Sequence, residues 1–208
     1  SVWLEGTGPT YTSALNIRRA DPKTGELNLT AELNGAKGGE QLMVEVFDHD
    51  HFVAAKAFVV NNGKVQANLK VPKVKAWEPG KPYLYPLRLT VIGKDGKALD
   101  WLDSYVGFRD IRIDGPAVLI NGKRVFQRLV LDQGFYPDGI WTAPSDQALK
   151  HDIELSLAAG FNGARLHQKV FEPRFLYWAD KLGYLVWGEY PNWGLNYNDK
   201  RIQKPMMD

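Results

Sequence analysis

The first half of the chain alternates between hydrophobic and polar positions with a period of two. In the segment 26–33, hydrophobic residues occupy every second position, at Leu27, Leu29, Ala31 and Leu33. Alternation of this kind, with turn residues between the segments, is typical of antiparallel strands that bury one face. It predicts about seven strands, at residues 14–19, 26–33, 41–47, 53–60, 65–71, 83–92 and 99–105. Their number and spacing favour an immunoglobulin-like β-sandwich.

After Gly107 the pattern changes to strands that alternate with helices. A hairpin is predicted at Asn121-Gly122, a dipeptide that suits a type I′ turn. Ser145 suits the N-cap of a first helix, and Pro173 suits the first turn of a second helix. The expected order is strand 125–131, helix 145–160, strand 161–167, helix 173–183 and strand 184–187. Such a β-α-β-α-β series predicts parallel strands with right-handed crossovers.

Both a (β/α)₈ barrel and an open doubly wound sheet begin with this series of elements. No Gly-rich phosphate-binding loop follows any of the strands, which argues against a nucleotide-binding open sheet. A complete barrel needs about 250 residues. The predicted fold class is therefore multidomain, with an immunoglobulin-like β-sandwich followed by an incomplete (β/α)₈ (TIM) barrel of three strands.

The composition limits the classes of function. The formal net charge is +2 and no cluster of Lys and Arg marks a basic face, so no nucleic-acid partner is expected. The absence of cysteine excludes disulfides, thiolate metal sites and cysteine nucleophiles. No apolar run is long enough to span a membrane and no signal peptide is recognised, so no membrane partner is expected and the localisation stays unknown. The seven Trp, nine Tyr and nine Phe suit either a β-rich core or a sugar-binding protein, because flat rings stack on pyranoses.

Several short motifs occur in a fixed order along the chain. They are Val2-Trp3-Leu4-Glu5, Trp77-Glu78-Pro79-Gly80-Lys81-Pro82-Tyr83-Leu84-Tyr85, Gly107-Phe108-Arg109, Asn121-Gly122-Lys123 and Asn162-Gly163-Ala164-Arg165-Leu166-His167, and the last continues through Pro173-Arg174-Phe175, Asp180, Gly183 and Glu189. In this order and spacing they resemble glycoside hydrolase family 2, which holds β-galactosidases, β-glucuronidases and β-mannosidases. Two segments depart from the family pattern. Leu131-Asp132-Gln133 replaces the usual Asn-Arg-His, and Gln168 stands where the usual His would be.

The resemblance implies three parts of a larger hydrolase. Residues 1–11 would end an N-terminal jelly-roll sugar-binding domain, residues 12–107 would form the immunoglobulin-like β-sandwich, and residues 108–208 would form the first strands and helices of the TIM-barrel catalytic domain. The parent protein would hydrolyse β-glycosidic bonds with retention, so a carbohydrate is the expected partner. The Glu-Thr-His segment that supplies magnesium ligands in some β-galactosidases has no counterpart after Glu189, and no cofactor is expected.

The resemblance also implies that the catalytic pair is missing. Family 2 enzymes place the two carboxyl groups of a retaining mechanism on the fourth and seventh barrel strands, the first in an Asn-Glu pair. This sequence has no Asn-Glu dipeptide, so no catalytic residue is assigned and the chain alone is expected to be inactive. An alternative is an inverting pair of Asp132 and Glu189, about 10 Å apart at the backbone because neighbouring strands lie ~4.8 Å apart.

Substrate-binding residues are predicted from position, because barrels bind substrates at the carboxyl ends of their strands. The candidates are Asp132, Gln133, Arg165, His167, Gln168 and Glu189. In the resemblance, Arg165 corresponds to an arginine near the nucleophile, and alternatively it forms a structural ion pair with Asp132 or Glu189. Four aromatic residues form either a stacking platform for sugars or part of the core, namely Trp141, Trp187, Tyr190 and Trp193.

The segment Asp48-His49-Asp50-His51 suggests metal binding elsewhere in the chain. On a strand, His49 and His51 would share a face and suit a zinc ion. However, the segment falls between two predicted strands, where Asp and His are common turn residues, and no third ligand lies nearby in the sequence. A turn is therefore favoured and no metal site is predicted.

Two other functional classes remain as alternatives. One is a carbohydrate-binding or adhesion module in which the β-sandwich is the working part, and the other is an open α/β domain with unrelated chemistry. An incomplete barrel exposes apolar faces of its strands and helices. Self-association through the incomplete barrel is therefore also expected.

Overall fold

The computed structural model describes residues 4–196 and 198–201. Val2 and Trp3, and residues 202–208 of the predicted barrel segment, lie outside the described residues. The described chain forms two compact units. One consists of the residues up to Glu78 together with Pro82–Val125, and the other of Pro79–Lys81 together with the residues from Phe126 onward.

The first unit contains two antiparallel sheets that share one hydrophobic core. Its first seven strands are β1 (Tyr11–Ala20), β2 (Glu26–Asn34), β3 (Gln41–Asp48), β4 (His51–Val59), β5 (Lys64–Lys70), β6 (Tyr85–Ile92) and β7 (Ala98–Val106). One sheet has the order β1-β2-β5 and the other the order β4-β3-β6-β7. Strand β4 lies beside β3 rather than in the first sheet, unlike its counterpart in a constant-type immunoglobulin domain. The predicted β-sandwich of seven strands is confirmed.

The core of this unit follows directly from the period-two alternation. On β2, Leu27 and Leu29 are at most 2% exposed, and on β6 Leu87 and Leu89 are at most 1% exposed. All four belong to a single buried cluster that draws on both sheets. Burying a leucine side chain stabilises the folded state by about 1.5–3 kcal/mol, so these rows hold the two sheets together.

A small antiparallel sheet completes the first unit. It contains β8 (Ile111–Asp114), β9 (Ala117–Ile120) and β10 (Lys123–Arg124) in the order β10-β9-β8. In the turn between β9 and β10, φ is 53° at Asn121 and 79° at Gly122, as a type I′ turn requires. The Asn121 side chain donates from Nδ2 to the carbonyl oxygen of Trp77 and accepts at Oδ1 from the N–H of Asp110, both at 2.9 Å. The predicted hairpin is confirmed, whereas β8 was not predicted.

The second unit is a parallel sheet with two helices. Its elements are β11 (Leu129–Asp132), α1 (Asp146–Ala158), β12 (Gly163–Leu166), α2 (Pro173–Leu182) and β13 (Leu185–Gly188), and the strand order is β11-β12-β13. Ser145 accepts the N–H of Ala148 as the N-cap of α1, and Gly183 ends α2 with a φ of 72°. The predicted β-α-β-α-β series is confirmed. This series begins both a barrel and an open sheet, so the incomplete barrel stays a prediction.

The two faces of the parallel sheet differ. Ala164 and Leu166 of β12 are at most 1% exposed and belong to the core formed with α1 and α2. Arg165 lies between them and therefore points to the opposite face. There it is aligned with Leu131 on one side and Trp187 on the other, which are 52% and 50% exposed. The face that carries this row is open to solvent.

The helices of the described residues are short. None of them is both long and apolar enough to cross a membrane.

Candidate functional site

The six predicted residues lie at or just beyond the carboxyl ends of the parallel strands. The register pairs Asp132 with Leu166 and Leu166 with Gly188, which are the last residues of the three strands. The strands therefore end at the same level, and the three loops that follow start side by side. Strand ends in this arrangement are where α/β folds place their ligand-binding groups.

Arg165 and Glu189 form an ion pair between neighbouring strands. The guanidinium Nε donates to Oε1 of Glu189, and Oε2 accepts the N–H of Gln168 at 3.4 Å. The hydrogen bond from Arg165 is the main reason why the pKa of Glu189 is held below its ordinary value. Both side chains are partly exposed, so the pair contributes little to stability. The ion pair that the sequence offered as an alternative role for Arg165 is present, and it keeps a carboxylate ionised at the strand ends.

Gln168 contacts the loop after β13 with both polar atoms of its side chain. Its Oε1 accepts the N–H of Asn192 at 2.9 Å and the N–H of Trp193 at 3.1 Å. Its Nε2 donates to Oδ1 of Asn192. The φ of Gln168 is 58°, in the left-handed region that few residues other than glycine adopt. Gln168, which was predicted to bind the substrate, is therefore hydrogen-bonded to the loop after β13 in this structure.

Gln133 and His167 contact each other at the ends of β11 and β12. Gln133 Nε2 lies 3.2 Å from His167 Nδ1, and the backbone N–H of His167 donates to the carbonyl oxygen of Asp132 at 2.8 Å. When the Gln133 amide donates, Nδ1 is the acceptor and the imidazole proton lies on Nε2. His167 then offers an N–H donor to a ligand.

Asp132 has different surroundings from Glu189. Its register partner Leu166 lies in the core beneath the helices, so Asp132 points to the helix side of the sheet rather than to the face of Arg165. Its Oδ1 accepts the N–H of Gly134 at 2.8 Å. Burial is the main cause that raises the pKa of Asp132, and the neighbouring Asp152 raises it further. The structure therefore groups Arg165, Glu189 and Gln168 and leaves Asp132 apart from them.

Sequence reasoning missed Lys169, which directly follows Gln168. Its Nζ donates to the carbonyl oxygens of Gly134 at 3.0 Å and Trp141 at 2.8 Å. The same ammonium lies 4.8 Å from the centre of the Phe171 ring. Lys169 could have been predicted from its position just past the end of a strand, which is the criterion by which Gln168 was chosen.

The four candidate aromatic residues are exposed rather than packed in a core. Trp141 is 69% exposed, Trp187 50%, Tyr190 55% and Trp193 87%. The interpretation of these rings as core residues therefore does not apply. They leave flat apolar surfaces in solvent at and beyond the strand ends.

The segment 48–51 forms the turn between β3 and β4, as predicted. Strand β3 ends at Asp48, β4 begins at His51, and His49 has a φ of 56°. The Asp48 carboxylate accepts a hydrogen bond from the Tyr83 hydroxyl and lies 3.4 Å from Lys75 Nζ. Within residues 4–196 and 198–201, no group of three or more potential ligands lies close enough together to hold a metal ion.

Comparison with known families and structures gives a consistent result. A family model described as Glycosyl hydrolases family 2 matches residues 13–109, which include most of β1 and all of β2 to β7. Among solved structures, a glycosyl hydrolase family 2 member from Bacteroides cellulosilyticus has a TM-score of 0.81 and 25% sequence identity. The superposition covers 95% of this chain and 29% of that chain.

Two further relatives are similar over most of the sequence. A β-glucuronidase from Paenibacillus borealis is 28% identical over 187 residues, which are 84% of this chain and 31% of that protein. A β-galactosidase from Kluyveromyces lactis is 25% identical over 188 residues, which are 89% of this chain and 18% of that protein. The chain therefore spans less than a third of the length of each of these proteins.

Proposed function

Because this chain belongs to glycosyl hydrolase family 2, we propose that it forms part of a retaining β-glycosidase that hydrolyses O-glycosidic bonds. The observation that carries the proposal is the ion pair of Arg165 and Glu189 at the carboxyl ends of parallel strands, where barrels bind their substrates. Two similar proteins are named as a β-glucuronidase and a β-galactosidase, and both names denote enzymes that hydrolyse β-glycosidic bonds.

The proposal includes a barrel that begins in this chain. Strands β11, β12 and β13 are parallel and sequential in order, and the two helices of this unit in the described part of the chain pack against one face of the sheet. This arrangement supports their assignment as the first three strands of a TIM barrel. In a barrel, the open face with Leu131, Arg165 and Trp187 becomes the interior. The proposed limits are a jelly-roll end at residues 1–11, the sandwich at 12–107 and the catalytic domain from 108 to 208.

The proposed task of this chain is to bind the sugar rather than to break the bond. A retaining mechanism needs two carboxyl groups about 5–5.5 Å apart, one as acid/base and one as nucleophile. This sequence has no Asn-Glu dipeptide, so we assign both catalytic carboxylates to residues outside this chain. The ionised Glu189 is a good acceptor for a sugar hydroxyl, while His167 and Gln133 supply a donor and a further amide group.

The test compares the hydrolysis of a panel of aryl β-glycosides by this chain and by the protein encoded by its complete gene. We expect only the second to release the aryl group, and the glycoside that it cleaves identifies the sugar. In that protein, Arg165→Met should lower kcat/KM about tenfold or more, because a hydrogen bond between charged groups is lost at the binding site. Arg174→Met, which removes an exposed ion pair with Asp146, is the matched control and should leave kcat/KM unchanged.

Other outcomes point elsewhere. Hydrolysis by this chain alone would contradict the proposed absence of the catalytic pair. Asp132 and Glu189 would then be the candidate catalytic residues. A complete protein that binds saccharides but cleaves none of the glycosides would support the alternative of a carbohydrate-binding or adhesion module.

A further inference from the structure

Two consecutive residues after the central strand β12 hold the loops on either side. Gln168 binds the loop after β13 through the N–H groups of Asn192 and Trp193. Lys169 binds the loop after β11 through the carbonyl oxygens of Gly134 and Trp141. One short segment therefore fixes the positions of both neighbouring loops.

On each side, one of these contacts reaches the backbone of an exposed tryptophan. Lys169 Nζ lies 2.8 Å from the carbonyl oxygen of Trp141, and Gln168 Oε1 lies 3.1 Å from the backbone nitrogen of Trp193. The two indole side chains are 69% and 87% exposed. Their main chains are thus fixed while their ring faces are left to solvent.

The loop that carries Trp141 also has internal structure. Tyr136 and Ile140 exchange two backbone hydrogen bonds, at 2.8 and 2.9 Å, and Thr142 donates to the carbonyl oxygen of Gly139 at 3.0 Å. Loss of the Lys169 contact would therefore displace this loop as a unit rather than unfold it. That makes Lys169 a determinant of where the Trp141 ring lies.

We propose that Trp141 and Trp193 stack on sugar rings of the glycoside, and that Lys169 and Gln168 are positioning residues for the two indoles. An indole offers a large flat apolar face for the C–H groups of a pyranose and loses little side-chain entropy on binding. Anchoring the backbone of each tryptophan before the ligand arrives lowers the entropy lost on binding. This inference rests on the proposed function, since it takes a carbohydrate as the ligand.

The positioning role is tested in this chain by NMR of the indole N–H groups, with Trp141→Phe and Trp193→Phe identifying the two signals. We expect Lys169→Met to shift the Trp141 signal and leave that of Trp193 in place. Gln168→Ala should do the reverse. Gln147→Ala, a change on the exposed side of α1, is the matched control and should move neither signal.

The stacking role is tested by kinetics in the protein encoded by the complete gene, with the aryl glycoside that it cleaves best. We expect Trp141→Ala and Trp193→Ala each to raise KM about threefold to tenfold with kcat nearly unchanged, as for the loss of one aromatic contact that does not change in the transition state. Lys169→Met and Gln168→Ala should also raise KM. Lys169→Arg and Gln168→Glu should restore part of it, because they keep the donors and the acceptor that hold the loops.

The outcomes separate this inference from the proposed function. If the protein cleaves the glycoside and KM is unchanged in both tryptophan variants, stacking is overturned and the proposed function stands. If the indole signals do not respond to Lys169→Met and Gln168→Ala, the positioning role is overturned. If no glycoside is cleaved, the proposed function fails. In that case, shifts of the Trp141 and Trp193 signals when the same glycosides are added support the inference, and unmoved signals overturn it.

Discussion

Two carboxylates at the strand ends show how much a side chain's direction matters. The pKa of Glu189 is lowered chiefly by the hydrogen bond from Arg165, whereas that of Asp132 is raised chiefly by burial on the helix side of the sheet. The positions of Asp132 and Glu189 at the ends of predicted strands can be inferred from the sequence, and both were predicted as substrate-binding residues for this reason. Burial and hydrogen-bond partners depend on the packing of α1 and of the loops, so the opposite shifts were not predictable.

The pairing of Glu189 predicts a pH dependence that a single substitution changes. Since its folded pKa is depressed, its contribution to stability is present above the pKa of an unfolded glutamate and is lost as the pH falls through the folded value. Arg165→Met should raise the pKa of Glu189, which carbon NMR of the side-chain carboxyl groups measures directly. Arg174→Met should leave it in place, because Arg174 pairs with Asp146 instead. A pKa of Glu189 that does not respond to Arg165→Met would show that the ion pair is not formed in solution.

At the scale of the elements, alternation predicted strands well where one face is buried. All seven strands of the sandwich were expected within a few residues of their ends, and each contributes buried or partly buried hydrophobic residues to the shared core. Strand β8 was missed although Ile111 and Ile113, which are 58% and 78% exposed, alternate with polar residues. Two hydrophobic positions in a strand of four residues are too few to distinguish it from a loop.

The same alternation predicts that substitutions at two neighbouring positions on β6 lower the free energy of unfolding by different amounts. Leu89 is fully buried, and Leu89→Ala should lower the free energy of unfolding by about 2–5 kcal/mol through lost contacts and a residual cavity. Thr90 points to the outer side of the same strand, and Thr90→Ala should lower it by less than about 1 kcal/mol. Urea denaturation followed by circular dichroism compares the two. Similar losses in both variants would mean that β6 does not bury one face in solution.

At the scale of the whole molecule, the parallel sheet has one covered face and one open face. The contacts of Lys169 and Gln168 with the loops on either side involve residues more than 20 positions away in sequence, and no local pattern announces them. The prediction of a site at this edge of the sheet followed from the order of the elements. The hydrogen bonds of Lys169 and Gln168 depend on which loops come together in three dimensions.

The open face predicts association between copies of this chain. Leu131 and Trp187 are about half exposed on neighbouring strands, so pairing of this face with a second copy would remove apolar surface from water. Sedimentation velocity should show a mass that rises with protein concentration, and Leu131→Glu should weaken the effect. Phe52→Glu, at a side chain on β4 that is 62% exposed, is the control and should not. A single monomeric species at all concentrations would contradict this prediction.

The row formed by Leu131, Arg165 and Trp187 also bears on the register in which the parallel strands pair. If β12 slipped by one residue against its neighbours, every side chain on it would change faces. Ala164 and Leu166 would then turn to solvent, and the guanidinium of Arg165 would enter the space beside Leu149 and Ile153 without its partner Glu189. Burying an unpaired charge is strongly unfavourable. The cation on β12 therefore disfavours the alignment of the strands that is shifted by one residue.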